Sequence, residues 1–256
     1  MFKTMFGKPE RNMEGQSRIE AAIDGFMTSF EQRKTDQQFL QEFLYIQNWQ
    51  TQRLMIQYEH LFDNPDSAAA AKFMLHEVYS GDQLAEISEE IKKTARKAWK
   101  LAPADLMDAA ANAMEANLLT VRIDEMIACV TLERGGMNRA NGSELYISAL
   151  KHAHIISARR QQLAQFSAIA GDIEGYLKKQ SLYLGLKMTS GLARKAGVSN
   201  LHRFLMRACT VLRGTKHFER IVNEIYQTEL TLLDELERGI NPYQFMDTHY
   251  LERAQI

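Results

Sequence analysis

The sequence predicts an all-α protein, an irregular multi-helix bundle of about eight or nine helices within a single domain. Three observations carry this expectation. From Ser17 onward apolar residues recur every three or four positions, and alternation of period two never lasts for the length of a strand. Proline is scarce, four in 256 residues, against abundant Ala, Leu, Met, Gln and Glu. Clusters of Gly, Asn and Pro, such as Asn64-Pro65, Gly135 to Gly142 and Gly239 to Pro242, fall between periodic runs, where they punctuate the chain.

The elements follow in order. A first helix runs from about Met13 to Arg33 and carries Ile19, Ile23, Phe26, Met27 and Phe30 on one face. Asp36 has the position of an N-cap for a long second helix, whose stripe of Phe39, Leu40, Phe43, Leu44, Leu54, Tyr58 and Leu61 ends at Asp63, Asn64 and Pro65. Asp66 or Ser67 opens a third helix that reaches Tyr79. Ser80, Gly81 and Asp82 break the chain and cap a fourth, from Gln83 to Trp99. Leu101, Ala102 and Pro103 precede a long fifth helix, from Ala104 to about Arg134, with Leu106, Met114, Leu118, Val121, Ile127 and Leu132 as core candidates.

The stretch from Gly135 to Gly142 is the clearest loop, because its glycines and asparagines accept positive φ cheaply, and it is the boundary if the chain holds two subdomains. A sixth helix then runs from Ser143 to about Lys179 and a seventh from Leu182 to Lys195. The eighth, capped by Ser199 or Asn200, extends to Arg213, and the ninth ends at Arg238 with Gly239 behind it. The residues after Pro242 read as a tail.

Composition bounds the function more by exclusion than by signal. A chain of 256 residues with 45% hydrophobic and 25% charged residues buries a core without staples. Cys129 and Cys209 have no CxxC partner and read as two buried, reduced thiols. No run approaches about 18 apolar residues and no export signal is visible, so the expected location is the cytoplasm.

Di-iron bundles need Glu-x-x-His on two helices, and none of the seven histidines has an acid three residues before it. His152 and His154, two apart, point about 200° from each other on a regular helix and share no metal. The phosphate-loop, dinucleotide, nucleophile-elbow and zinc-protease signatures do not occur. Gly185 and Gly191 suggest a phosphate cradle, but Leu184, Leu186 and Met188 around them read as helix core. No catalytic residue, metal ligand or cofactor is assigned.

The informative feature is charge. The formal net charge is −1, yet Lys151 to Arg220 contains thirteen basic residues against Asp172, Glu174 and Glu219, a net of +10 that leaves −11 for the rest. Arg159, Arg160, Arg194, Lys195, Arg203, Arg207 and Arg213 are the candidates for binding an anion or an acidic partner. The competing reading is internal neutralisation, in which these side chains pair with acid-rich helices of the same chain.

One segment carries a resemblance. Phe73, Met74, Leu75, His76, Glu77, Val78 and Tyr79 resemble the signature of bacterial FFLEELY-motif proteins; Phe73, Leu75, Glu77 and Tyr79 match, whereas Met74, His76 and Val78 differ. Further similarities spread over residues 36–243. The resemblance implies a helical fold and bacterial origin, and supplies no catalytic residue.

The resulting expectation is a helical interaction protein, possible as a homodimer, whose cationic C-terminal half binds an acidic protein or a phosphate-bearing ligand; nucleic acid and membrane surfaces remain open. The alternative is an enzyme or small-molecule carrier with a pocket between helices.

Overall fold

The computed structural model describes residues 9–79, 82–98, 104–138, 141–177 and 179–246. The expected break at Ser80 and Gly81 and the expected turn at Leu101, Ala102 and Pro103 lie outside them. Among the described residues every regular element is helical: α1 (Pro9–Thr35), α2 (Gln37–Gln57), α3 (Glu59–Asp63), α4 (Ala68–Phe73), a π-helical turn (Met74–Tyr79), α5 (Asp82–Ala98), α6 (Ala104–Leu132), α7 (Gly142–Leu150), α8 (Ala153–Leu177), α9 (Gln180–Met188), α10 (Ser190–Ala196), α11 (Ser199–Gly214) and α12 (Phe218–Glu237).

The thirteen elements exceed the eight or nine expected because four of the expected helices are each interrupted once. At Tyr58 the backbone leaves helical geometry (φ −116°, ψ 30°) and the hydroxyl enters the core to bond Glu229. At Lys151 and His152 the chain turns between α7 and α8. At Thr189 the side-chain Oγ1 donates to the Leu186 carbonyl (2.8 Å), which closes α9 locally. The π turn wraps more residues per turn than an α-helix. It buries both Leu75 and Glu77 and delivers the Tyr79 hydroxyl to Asp124 (3.0 Å). None of these breaks contains Gly or Pro, the punctuation on which a sequence reading depends.

α6 is the central strut. Leu118, Val121, Ile123, Ile127, Ala128 and Val130 are buried around its circumference, and α1, α2 and α8 pack against it. α12 lies on α8, and α5 on α1. Asp36 caps α2 as expected, accepting from the Phe39 amide (3.0 Å). The glycine loop is tied down: Gly136 sits at φ +80°, and Glu42 accepts from the following Met137 amide (2.8 Å). One apolar core joins residues on both sides of this loop, from Ala22 to Met246. The first residues of the expected tail are instead part of it, with Tyr243 and Met246 fully buried, and residues 247–256 lie outside the described ones. Cys129 is exposed and Cys209 half-buried, both reduced, so the expectation of two buried thiols fails.

Through this core runs a chain of buried polar groups. Arg53 on α2 makes a bidentate pair with Glu229 on α12 (2.7 and 3.1 Å), and Tyr58 donates to the same carboxylate (2.8 Å). Arg53 also donates to Gln50 (2.8 Å), whose amide donates to the Tyr146 hydroxyl on α7. That hydroxyl accepts from Arg159 on α8 (3.3 Å), which bonds Gln162 (2.7 Å); Gln162 in turn donates to Thr120 on α6 (2.5 Å). The Trp49 ring stacks on Tyr146 at 4.2 Å, and Tyr243 meets both edge-on.

Burial works against the Arg53 charge and raises the Glu229 carboxyl, but their mutual attraction wins on both sides: the guanidinium is held above its usual pKa and the carboxyl below its own. Asp124 is less well served. It is fully buried, Tyr79 bonds only its Oδ2, and Oδ1 accepts no hydrogen bond and lies 3.8 Å from Arg159. Burial outweighs Arg159 and Tyr79, and the carboxyl is pushed up to about 6 from an ordinary 3.8.

Two outcomes follow. Replacing Arg53 by Met strands Glu229 as a buried uncompensated charge and should cost about 3–5 kcal/mol in urea denaturation. Arg53→Met combined with Glu229→Leu should cost less than Arg53→Met alone. Because the Asp124 carboxyl is raised on folding, the folded state binds more protons than the unfolded one between about pH 3.8 and 6. Its stabilising contribution is complete below that window and is lost as pH rises through it. The stability of the wild type relative to Asp124→Asn should therefore increase as pH falls from 7 to 4.5, with a slope of up to about 1.4 kcal/mol per pH unit; a pH-independent difference between the two denaturation curves would refute this.

Candidate functional site

The seven cationic candidates do not form one patch. Arg159 is buried in the core network. Arg160 on the same helix donates to Asp234 and Glu237 of α12, both at 2.6 Å. Arg207 pairs with Glu77 of the π turn at 2.5 Å. These three follow the internal-neutralisation reading.

The other four behave differently. Arg203 donates to the Asn200 side chain (2.6 Å) and Arg213 to that of Gln180 (2.6 Å), where it also lies over the Tyr183 ring. The Asn200 amide is neutral, so its bond orients the Arg203 guanidinium without cancelling its charge. Arg194 and Lys195, at the end of α10, are exposed and make no ion pair among the described residues.

Sequence order explains why cations persist here: residues 175–218 contain no Asp or Glu and nine Lys or Arg. The helices in this stretch are α9, α10 and α11, and they assemble against α5. Gly197 takes a left-handed turn (φ +67°) that ends α10 and redirects the chain into α11; a side chain there would meet the Lys93 amine at 3.2 Å. The amino end of α11 is capped from outside. Neither Ser199 nor Asn200 caps it, contrary to expectation; Glu90 of α5 accepts from the Leu201 amide (2.8 Å) and from the Asn200 side chain (2.9 Å). His202 joins α11 to the Leu186 carbonyl of α9 (2.8 Å).

On α5, Lys92 and Arg96 turn toward α1 and bond Asp24 and Glu20. Lys93 and Lys97 remain exposed and line an open groove of about 310 Å³ floored by Leu186, Ala193, Val198 and Leu201 and bordered by Leu192 and Leu205. The expectation that Leu184, Leu186 and Met188 form helix core fails in an informative way. Leu186 is half-buried, but Leu184, Met188 and Leu192 are 45, 83 and 65% exposed. Gly185 and Gly191 have open space about them and no positive φ, so neither belongs to a phosphate cradle. The composite surface is thus apolar at its centre, cationic around it, and made by short helices.

The buried network is the other place with reactive chemistry, since it holds a raised carboxyl beside tyrosines and arginines. The grooves at Glu89–Lys97, at Leu186–Leu205 and at Asn141–Lys151 include none of its members. No cluster of metal-ligating side chains occurs among the described residues. His152 and His154 do approach, with ring centroids 5.8 Å apart, because His152 precedes the first turn of α8 rather than lying within it. They lack a third ligand.

No signal in the sequence distinguishes the buried Arg159 from the half-exposed Arg160; only packing of α8 against α6 and α12 does. Lys93 and Lys97 lie outside the basic stretch and were missed for that reason, although their spacing of four places them on one face of α5.

No curated protein and no solved structure matches the chain. A family model described as a domain of unknown function, DUF8198, matches residues 29–242, which take in the Arg53–Glu229 pair and the whole cationic face. The chain belongs to that family.

Proposed function

We propose that the protein is a helical interaction module that docks an acidic or phosphate-bearing partner on the surface of α9, α10 and α11. The observation that carries this reading is the segregation of charge. Arg160 and Arg207 are neutralised, through Asp234, Glu237 and Glu77, yet Lys93, Lys97, Arg194 and Lys195 are left exposed beside an apolar groove. Unpaired like charges around one patch repel one another and raise the local potential, an arrangement that an anionic partner relieves.

The candidates divide accordingly. Arg194 and Lys195 are contact residues, Arg203 and Arg213 oriented contributors, and Arg159, Arg160 and Arg207 structural. Binding of fluorescent polyglutamate to the full chain, measured by anisotropy at low salt, tests this division. The double variant Arg194→Glu, Lys195→Glu should bind at least about tenfold more weakly, a loss of roughly 1.4 kcal/mol. Its helical circular dichroism and melting temperature should not change. Arg160→Glu should do the reverse, lowering the melting temperature through Asp234 and Glu237 while retaining most of the binding. Equal binding by the wild type and the Arg194, Lys195 double variant would overturn the proposal.

A further inference from the structure

We infer that the phosphate-bearing partner of the α9–α11 surface is the face of an anionic lipid bilayer, on which the protein sits peripherally; the inference rests on the docking role proposed above and specifies its target. Three observations separate a bilayer from a folded acidic protein.

The first is projection. Leu184 and Met188, one turn apart on α9, stand out into solvent rather than lining the groove, and Leu192 at its border is 65% exposed. Large apolar side chains that project from a surface match a medium they can enter, whereas a folded protein partner accepts apolar groups in preformed pockets.

The second is the uniformity of charge. A folded acidic partner presents both signs and tolerates carboxylates in the opposing surface. A bilayer rich in anionic headgroups presents one sign everywhere and repels any carboxylate that comes close. The chain of α9, α10 and α11 contributes none between residues 175 and 218; the nearby acids belong to α5, where Glu90 is occupied in capping α11 and the exposed Glu89 lies 4.0 Å from the Lys92 amine.

The third is placement. Lys187, Arg194 and Lys195 share α9 and α10 with the projecting side chains, and Lys93 and Lys97 stand across the groove. Long cationic side chains beside inserted apolar groups reach phosphates at the headgroup level while the apolar groups enter the boundary below. No helix among the described residues is long and apolar enough to cross a membrane, so the contact is with one surface only.

The test is co-sedimentation of the full chain with vesicles of phosphatidylcholine alone and of equimolar phosphatidylcholine and phosphatidylglycerol, run beside the polyglutamate assay. The expected result is sedimentation with the mixed vesicles, little with phosphatidylcholine alone, and a decline as salt is raised. Reversal of each of Lys187, Arg194 and Lys195 to Glu should lower partitioning about fivefold or more. Met188→Ser with Leu192→Ser, which removes apolar area without adding charge, should lower it more than about tenfold through lost insertion, while leaving the melting temperature unchanged, as both side chains are exposed.

Failure to sediment with the mixed vesicles, with polyglutamate binding intact, would overturn the bilayer inference and leave a soluble acidic partner. Sedimentation indifferent to the Met188 and Leu192 substitutions would overturn it too, since contact would then be electrostatic alone. Loss of both vesicle and polyglutamate binding in the wild type would remove the docking role as well.

Discussion

Taking an ion out of water costs several kcal/mol even after the surrounding protein relaxes, and this molecule does so with Arg53, Glu229, Arg159 and Asp124 in one core. Every helix that carries one of these groups must therefore be positioned by the partner the group needs. Arg53 sets α2 against α12 through both guanidinium nitrogens; Tyr146 holds α7 to α2 and α8; Gln162 fixes α8 on α6; Tyr79 anchors the π turn to α6. An apolar interface tolerates small sliding of one helix on another. A bidentate ion pair does not, because a displacement of about 1 Å unmakes hydrogen bonds whose donors then have no water to turn to. The network thus specifies one arrangement among the many that a helix-rich, alanine-rich sequence could otherwise pack into.

How much of this was legible in the sequence depends on the kind of signal. Elements marked by capping and periodicity were: Asp36 opens α2 where expected, Gly239 follows α12 in a left-handed conformation, and Phe26, Phe43, Val121 and Ile127 are core. The four interruptions were not, because each is imposed from outside the segment or by a side chain that is unremarkable alone. Tyr58 leaves the helix toward a carboxylate 171 residues further along the chain, a relation that no local window contains. The buried charges were illegible for the same reason. Arg53, Asp124, Arg159 and Glu229 occupy positions that a helical pattern assigns to solvent, and only tertiary packing distinguishes them from their exposed neighbours.

The candidate surface was half legible. Its charge excess is countable from the sequence, but counting treats Arg159, Arg160 and Arg207 as equal to Arg194 and Lys195, although the first three are neutralised or buried by helices distant in sequence. Its apolar component was misassigned. Leu184 and Met188 carry the spacing of core residues, and spacing alone does not say whether a helix face meets another helix or water. The surface emerges only when α5 brings Lys93 and Lys97 to the opposite side of the groove, which makes it a property of the assembled fold rather than of the basic segment.

The order in which the chain emerges during synthesis gives the Arg53–Glu229 pair another significance. Chains are made from the amino end at about 5–20 residues per second, and Glu229 lies 176 positions after its partner. α1, α2 and α6 can dock as they appear, but through that interval the site between α2 and α12 holds a guanidinium without its carboxylate and an apolar face without its cover. The nascent bundle therefore stays hydrated along that seam until α12 arrives, and completion of the native core waits for the synthesis of that helix.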